Sequence, residues 1–107
     1  MSDEDAPSES GQGVPEGAIS TELLIVNKRG LHARASAKFV QTVERFQAQV
    51  WVTRGQETVG GTSIMGLMML AAGPGTTITV SAAGADAQEA IAAITELVTS
   101  KFNEEGT

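Results

Sequence analysis

The chain has 107 residues, 41% hydrophobic and 19% charged, proportions that suit one compact globular domain and are too few for two independent cores. It holds no cysteine and a single histidine, which excludes disulfide frameworks, thiolate metal sites, cysteine nucleophiles and the usual histidine metal clusters. The net charge of -6 is unevenly spread: residues 1–20 supply -5 of it through Asp3, Glu4, Asp5, Glu9 and Glu16, with no Lys or Arg.

Residues 1–20 are rich in Ser, Gly, Pro and acids, and Met1, Val14 and Ile19 are their only large apolar side chains. Such a composition cannot bury enough surface to offset the entropy of ordering, so it predicts a disordered acidic N-terminal extension ahead of a domain over residues 21–107. No apolar run in the chain approaches the roughly 20 residues of a membrane helix, and no basic, apolar signal-like region opens it. The expectation is a cytoplasmic protein that does not engage a membrane.

Leu23-Leu24-Ile25-Val26 reads as a first strand, ended by Asn27-Lys28-Arg29-Gly30. Leu31, Ala35, Phe39, Val43 and Phe46 then recur at helical spacing, which predicts a helix from about Ala33 to Arg45 with Lys38, Gln41 and Arg45 toward water. Gln49–Thr53 alternates as a strand, and Arg54-Gly55-Gln56 turns it into a short partner around Glu57-Thr58-Val59. Ser63 stands as an N-cap before an apolar helix from Ile64 to about Ala71, which Gly73-Pro74-Gly75 stops. Thr76–Ser81 alternates as the last strand. Asp86 can then cap a final helix carrying Ala90, Ile91, Ile94, Leu97, Val98 and Phe102 on one side. Four strands and three helices in this order predict an α+β fold, a mostly antiparallel sheet with its helices on one face.

Chemistry concentrates at Gly30-Leu31-His32-Ala33-Arg34, where the only histidine opens the first helix. A helix start offers unpaired backbone N–H groups and the positive end of the macrodipole, a setting for anions. The same field favours the neutral, nucleophilic ring. The amides of Ala33 and Arg34 and the Arg34 guanidinium can each give a phosphoryl group a charge-assisted hydrogen bond of about 1.5–3 kcal/mol. Four of the seven bases, Lys28, Arg29, Arg34 and Lys38, lie within eleven residues around His32. One basic patch on an acidic protein argues against nucleic-acid binding and for a small anionic group handled at one place. A plain reading stands beside each of these: His32 as a cap, Arg34 as a solvated first-turn residue, Ser63 as nothing more than an N-cap. Ile64, Met65 and Met68 form an exposed, adaptable patch if Leu67 and Leu70 face inward.

The element order, the Gly30-Leu31-His32-Ala33-Arg34 motif and Ser63-Ile64-Met65-Gly66-Leu67-Met68 together resemble the HPr family, histidine phosphocarriers of the bacterial phosphoenolpyruvate-dependent phosphotransferase system, over about Glu22 to Phe102. The resemblance implies an open-faced β-sandwich of four antiparallel strands and three helices. It implies that enzyme I phosphorylates His32 at Nδ1, that Arg34 holds the phosphoryl oxygens, and that an EIIA-type domain then receives the group. Ile64, Met65 and Met68 would belong to the shared docking surface, and Ser63 matches the position modified by HPr kinase/phosphorylase. No cofactor, metal or independent turnover is implied, and a monomer is expected of a shuttle that must release each partner. The chain departs from the common family pattern in Ala35, where proline is frequent, in Thr62, where lysine often precedes the serine, and in its acidic extension. Sugar-transport and nitrogen-regulatory branches both remain open, with Lys101-Phe102-Asn103-Glu104-Glu105 and the methionine-rich helix leaning toward the second.

Overall fold

A computed structural model describes residues 14–104. Within them the chain runs β1 (Ile19–Leu24), α1 (Ala33–Val43), β2 (Gln49–Arg54), β3 (Glu57–Gly60), α2 (Ile64–Met69), β4 (Thr77–Ala83) and α3 (Ala87–Thr99), then a short 3-10 turn at Lys101–Asn103. The four strands form one sheet in the order β1-β4-β2-β3, every neighbouring pair antiparallel. This is the expected α+β open-faced sandwich.

Alternation along the strands decides which face is covered. Leu23, Val50, Val52, Ile78, Val80 and Ala82 are buried on the helix side. The register sets Leu23 opposite Ile78 and Val52 opposite both Val80 and Val59, so the apolar pairs fall in line across the sheet. The opposite face is polar: the Ser20 and Ser81 hydroxyls meet at 2.8 Å, as do those of Thr53 and Thr58. Trp51, out of phase with Val50 and Val52, lies on that face, half-buried.

The helices close the other side. Ala35, Phe39 and Val43 of α1 and Ala90, Ile94, Leu97 and Val98 of α3 are buried in one cluster with Leu67, Leu70 and Phe102. Removing a side chain such as Phe39 from water contributes about 1.5–3 kcal/mol. Buried Ser36 answers its own polarity by donating its hydroxyl to the Leu31 carbonyl at 3.2 Å, and Thr42 donates to the Lys38 carbonyl at 2.9 Å.

Several elements differ from the sequence reading: α1 and α2 end earlier, at Val43 and Met69, β4 runs to Ala83, and α3 ends at Thr99, so Phe102 is buried from the turn beyond the helix rather than from its face. β1 opens at Ile19, so Ile19 and Ser20, assigned by composition to the extension, belong to the sheet; pairing with Ala82 and Ser81 outweighs their polar surroundings. Residues 1–13, the bulk of the predicted disordered extension, lie outside the described residues. Ile25 follows β1 rather than forming part of it, yet its N–H donates to the Thr76 carbonyl and its carbonyl accepts from the Gly75 N–H, both at 2.8 Å. Asp86 occupies the cap position of α3 without capping it. Its carboxylate instead accepts the Gln47 N–H at 2.8 Å, which ties the start of α3 to the α1–β2 connection.

The approach to α1 is set by a close backbone crossing. Gly30 has φ +65°, and the Leu31 N–H donates to the Ala72 carbonyl at 3.0 Å. A Cβ on Gly30 would lie 2.3 Å from that carbonyl oxygen and 2.8 Å from Gly73 Cα, both backbone atoms with little room to yield. Gly30→Ala is therefore expected to destabilise the domain by roughly 2–4 kcal/mol, left-handed strain and overpacking together, read as a lowered urea midpoint at unchanged m-value.

Candidate functional site

His32 is delivered to the N-cap of α1 by this crossing. Its backbone is extended (φ -74°, ψ -177°), and its carbonyl accepts the Ser36 N–H at 2.8 Å to open the helix. Ala33 and Arg34 occupy the first turn, exposed, where no acceptor inside the helix can reach their amides. The predicted cradle of free N–H groups thus begins at the residue that carries the imidazole.

The ring makes no cap hydrogen bond. It is turned instead toward the end of the chain, where Nε2 pairs with Oε2 of Glu104. The two side chains are only 16% and 10% exposed, so the pair is shielded from most solvent. Burial pushes the Glu104 carboxyl up, but hydrogen bonds from His32 and Asn27 and attraction to His32 and Lys38 outweigh it, leaving the carboxyl below the ordinary glutamate value of 4.5. An ionised carboxylate only accepts, so Nε2 must be the donor and carry the hydrogen. Nδ1 has no hydrogen-bond partner among the described residues.

Glu104 arrives by an unusual backbone path. After α3, Lys101, Phe102 and Asn103 take φ of +60°, +57° and +57°, a left-handed turn built from three residues with side chains. Left-handed geometry costs about 1–2 kcal/mol per residue. Two contacts offset it: Phe102 is fully buried in the core, and its carbonyl accepts from Lys38 Nζ at 2.6 Å. Lys38, expected to point to water, is instead half-buried against this turn.

Asn27 joins the loop to the carboxylate. Its side chain is fully buried, and Nδ2 donates to the Gly30 carbonyl at 2.8 Å and to Glu104 Oε1 at 3.2 Å. Its Oδ1 has no partner among the described residues, a buried acceptor whose desolvation costs about 1–3 kcal/mol. One amide therefore supports both the glycine turn before His32 and the group that holds its ring.

Arg34 stands on the exposed side of the first turn and, among the described residues, is engaged by no hydrogen bond or ion pair. Lys28 and Arg29 are exposed as well. Arg29 and His32 share the wall of an open cavity of about 270 Å³ with Met68, Ala72 and Gly73. The histidine and the methionine-bearing helix thus border one surface.

On α2, the Ser63 hydroxyl accepts the Gly66 N–H at 2.9 Å, the N-cap expected, while the residue itself remains exposed. Leu67 and Leu70 are buried, leaving Ile64 at 40%, Met65 at 68% and Met68 at 39% exposure. Met69, which the sequence reading did not single out, is 73% exposed and extends this apolar surface. Glu104 is the residue that sequence reasoning missed as a partner of the ring. Its 72-residue separation from His32 hides the pairing, and the one available signal was Phe102, whose burial anchors the chain end beside α1. Among the described residues no group of three or more His, Cys, Asp or Glu side chains could hold a metal ion, and no helix is long and apolar enough to cross a membrane.

Residues 19–100 match the model of a family described as the PTS HPr component phosphorylation site. The phosphocarrier protein HPr of Neisseria meningitidis serogroup A is 55% identical over 86 residues, covering 80% of this chain and 97% of that protein. The crystal structure of HPr from Thermoanaerobacter tengcongensis superposes with a TM-score of 0.78 at 45% identity, covering 81% of this chain and 98% of that one. The phosphocarrier protein NPr of Shewanella violacea is 40% identical over 86 residues, covering 80% of this chain and 94% of that protein.

A carboxyl with a lowered folded-state pKa stabilises the fold fully above its unfolded value, and that contribution disappears as pH falls through the folded value. For Glu104 the loss therefore begins near pH 4.5 and completes at more acid pH. In urea unfolding, the gap in stability between the parent protein and Glu104→Gln should be open at neutral pH and close on acidification through this range.

Proposed function

The chain belongs to the HPr family of phosphocarriers of the phosphotransferase system, and from that premise we propose that His32 is its phosphoryl acceptor and donor. The observation that carries this reading is the tethered imidazole: Nε2 engaged by Glu104, Nδ1 unengaged, at the opening turn of α1. In the forward step the Nδ1 lone pair forms a bond to phosphorus while the donor's bond to the same phosphorus breaks. The donor is the phosphohistidine of enzyme I, loaded from phosphoenolpyruvate. In the return step the Nδ1–P bond breaks as an EIIA-type domain takes the group, and Nδ1 recovers its lone pair. The ring needs no other chemistry, so the protein acts as a relay without turnover of its own.

The transferring group carries up to two negative charges and must be steadied without being trapped. First-turn amides of Ala33 and Arg34 and the unengaged Arg34 guanidinium suit this task, since they can meet the equatorial oxygens without prior bonds to break. Ile64, Met65 and Met68, on the surface that borders His32, are the proposed docking contacts for enzyme I and EIIA. Flexible methionines can repack against partners of different shape. Ser63 is the proposed regulatory site: a phosphate there would sit at a helix start, where negative charge is tolerated, while adding charge to the same docking surface.

The higher identity to the Neisseria HPr than to the Shewanella NPr favours service in sugar transport and its regulation over a nitrogen-branch role. A monomeric cytoplasmic shuttle is the corresponding working state. Incubation with enzyme I and labelled phosphoenolpyruvate should place an acid-labile, alkali-stable phosphate on the protein. His32→Ala should abolish the label while retaining the fold, and Arg34→Ala should slow transfer about 10- to 100-fold, the equivalent of one lost charge-assisted hydrogen bond. Persistent labelling of the His32→Ala protein would refute the assignment.

A further inference from the structure

We infer that Glu104 is a positioning residue for phosphoryl transfer: it holds the hydrogen of the His32 ring on Nε2, so that Nδ1 presents its lone pair to phosphorus. This rests on His32 being the acceptor and adds the group that selects between its two nitrogens. A neutral imidazole has two tautomers, and only the one with hydrogen on Nε2 leaves Nδ1 free to attack. Glu104 Oε2 accepts from Nε2, while Oε1 accepts from Asn27, so both carboxylate oxygens are oriented rather than free to rotate. The pair is shielded, which strengthens the preference over that of a solvated contact.

Charge follows the same geometry. As Nδ1 bonds to phosphorus, the ring gains positive charge, and the hydrogen on Nε2 remains where it was. The carboxylate faces that hydrogen and stabilises the charged ring as it forms. When the group departs, the Nδ1–P electrons return to Nδ1, and the ring is again neutral with its hydrogen on Nε2. No proton needs to leave or enter the site in either direction. The arrangement parallels the carboxylate that orients the histidine of a hydrolytic triad.

The left-handed turn is the second observation. Three consecutive residues with side chains held at φ near +60° are costly, so the turn persists only where its surroundings hold it in place. Phe102 and Lys38 lock the turn, and the next side chain that can reach out is Glu104.

The test compares the parent chain with Glu104→Ala and Glu104→Gln, the second retaining size and an acceptor oxygen without the charge. Phosphoramidate serves as donor, since a small phosphoryl donor requires no docking surface and releases ammonia as its phosphorus–nitrogen bond breaks. Imidazole ¹⁵N spectra report the tautomer directly. The expected result is labelling about 10- to 100-fold slower in Glu104→Ala, the loss of one hydrogen bond to a charged group, with the Nε2–H signature of the parent replaced by mixed tautomers. Glu104→Gln should keep more of the tautomer than of the rate. Equal rates and equal spectra in all three proteins would overturn the inference while leaving His32 as acceptor, and so would a slower rate with an unchanged tautomer in Glu104→Ala. Absence of label on His32 in the parent would instead sink the carrier reading itself.

Discussion

The crossing of Gly30-Leu31 over Ala72 ties together the two parts of the molecule on which the site depends. One hydrogen bond, Leu31 N–H to the Ala72 carbonyl, joins the loop that delivers His32 to the segment that follows α2. The approach is closer than any residue with a Cβ would allow, and it sets where the helix N-terminus stands relative to the methionine-bearing surface. Asn27 then braces the same loop from beneath, through the Gly30 carbonyl. Position, rather than unusual reactivity of any one group, is what the backbone supplies here.

A relay must hold its cargo less firmly than an enzyme holds a transition state, because the group has to leave again. The distribution of charge fits that requirement. Cationic Arg34, Lys28 and Arg29 lie outward and exposed, where water attenuates their attraction. The anionic partner, Glu104, is shielded at Nε2, on the other nitrogen from the Nδ1 proposed to carry the phosphoryl group. The exposed hydrophobic side chains of α2 suit the proposed docking role, since such contacts gain strength only while a partner covers them.

Much of this was readable in the residues. The four-residue spacing of Ala35, Phe39 and Val43 predicted the buried side of α1, and the alternation through Val50 and Val52 predicted the orientation of β2, because both follow from local periodicity alone. Ser63 was readable as a cap because its acceptor lies three residues away. What escaped depended on distant chain segments. Asp86 looked like a cap and serves Gln47; Lys38 looked solvated and reaches a carbonyl on the C-terminal turn; Glu104, given no role at the site, meets the only histidine. Each of these side chains had a satisfactory local role available, and a tertiary partner won. The start of β1 was hidden similarly, since Ile19 and Ser20 are strand residues only because Ala82 and Ser81 are there to pair with them.

The sole tryptophan, Trp51, sits on the helix-free face of the sheet, pointing away from the layer that carries His32. Its indole emission is thus a reporter of the strands' integrity and a poor witness to events at the imidazole. An optical melt and a titration of the imidazole would be watching opposite sides of the same thin slab, and agreement between them would mean that the two layers come apart together.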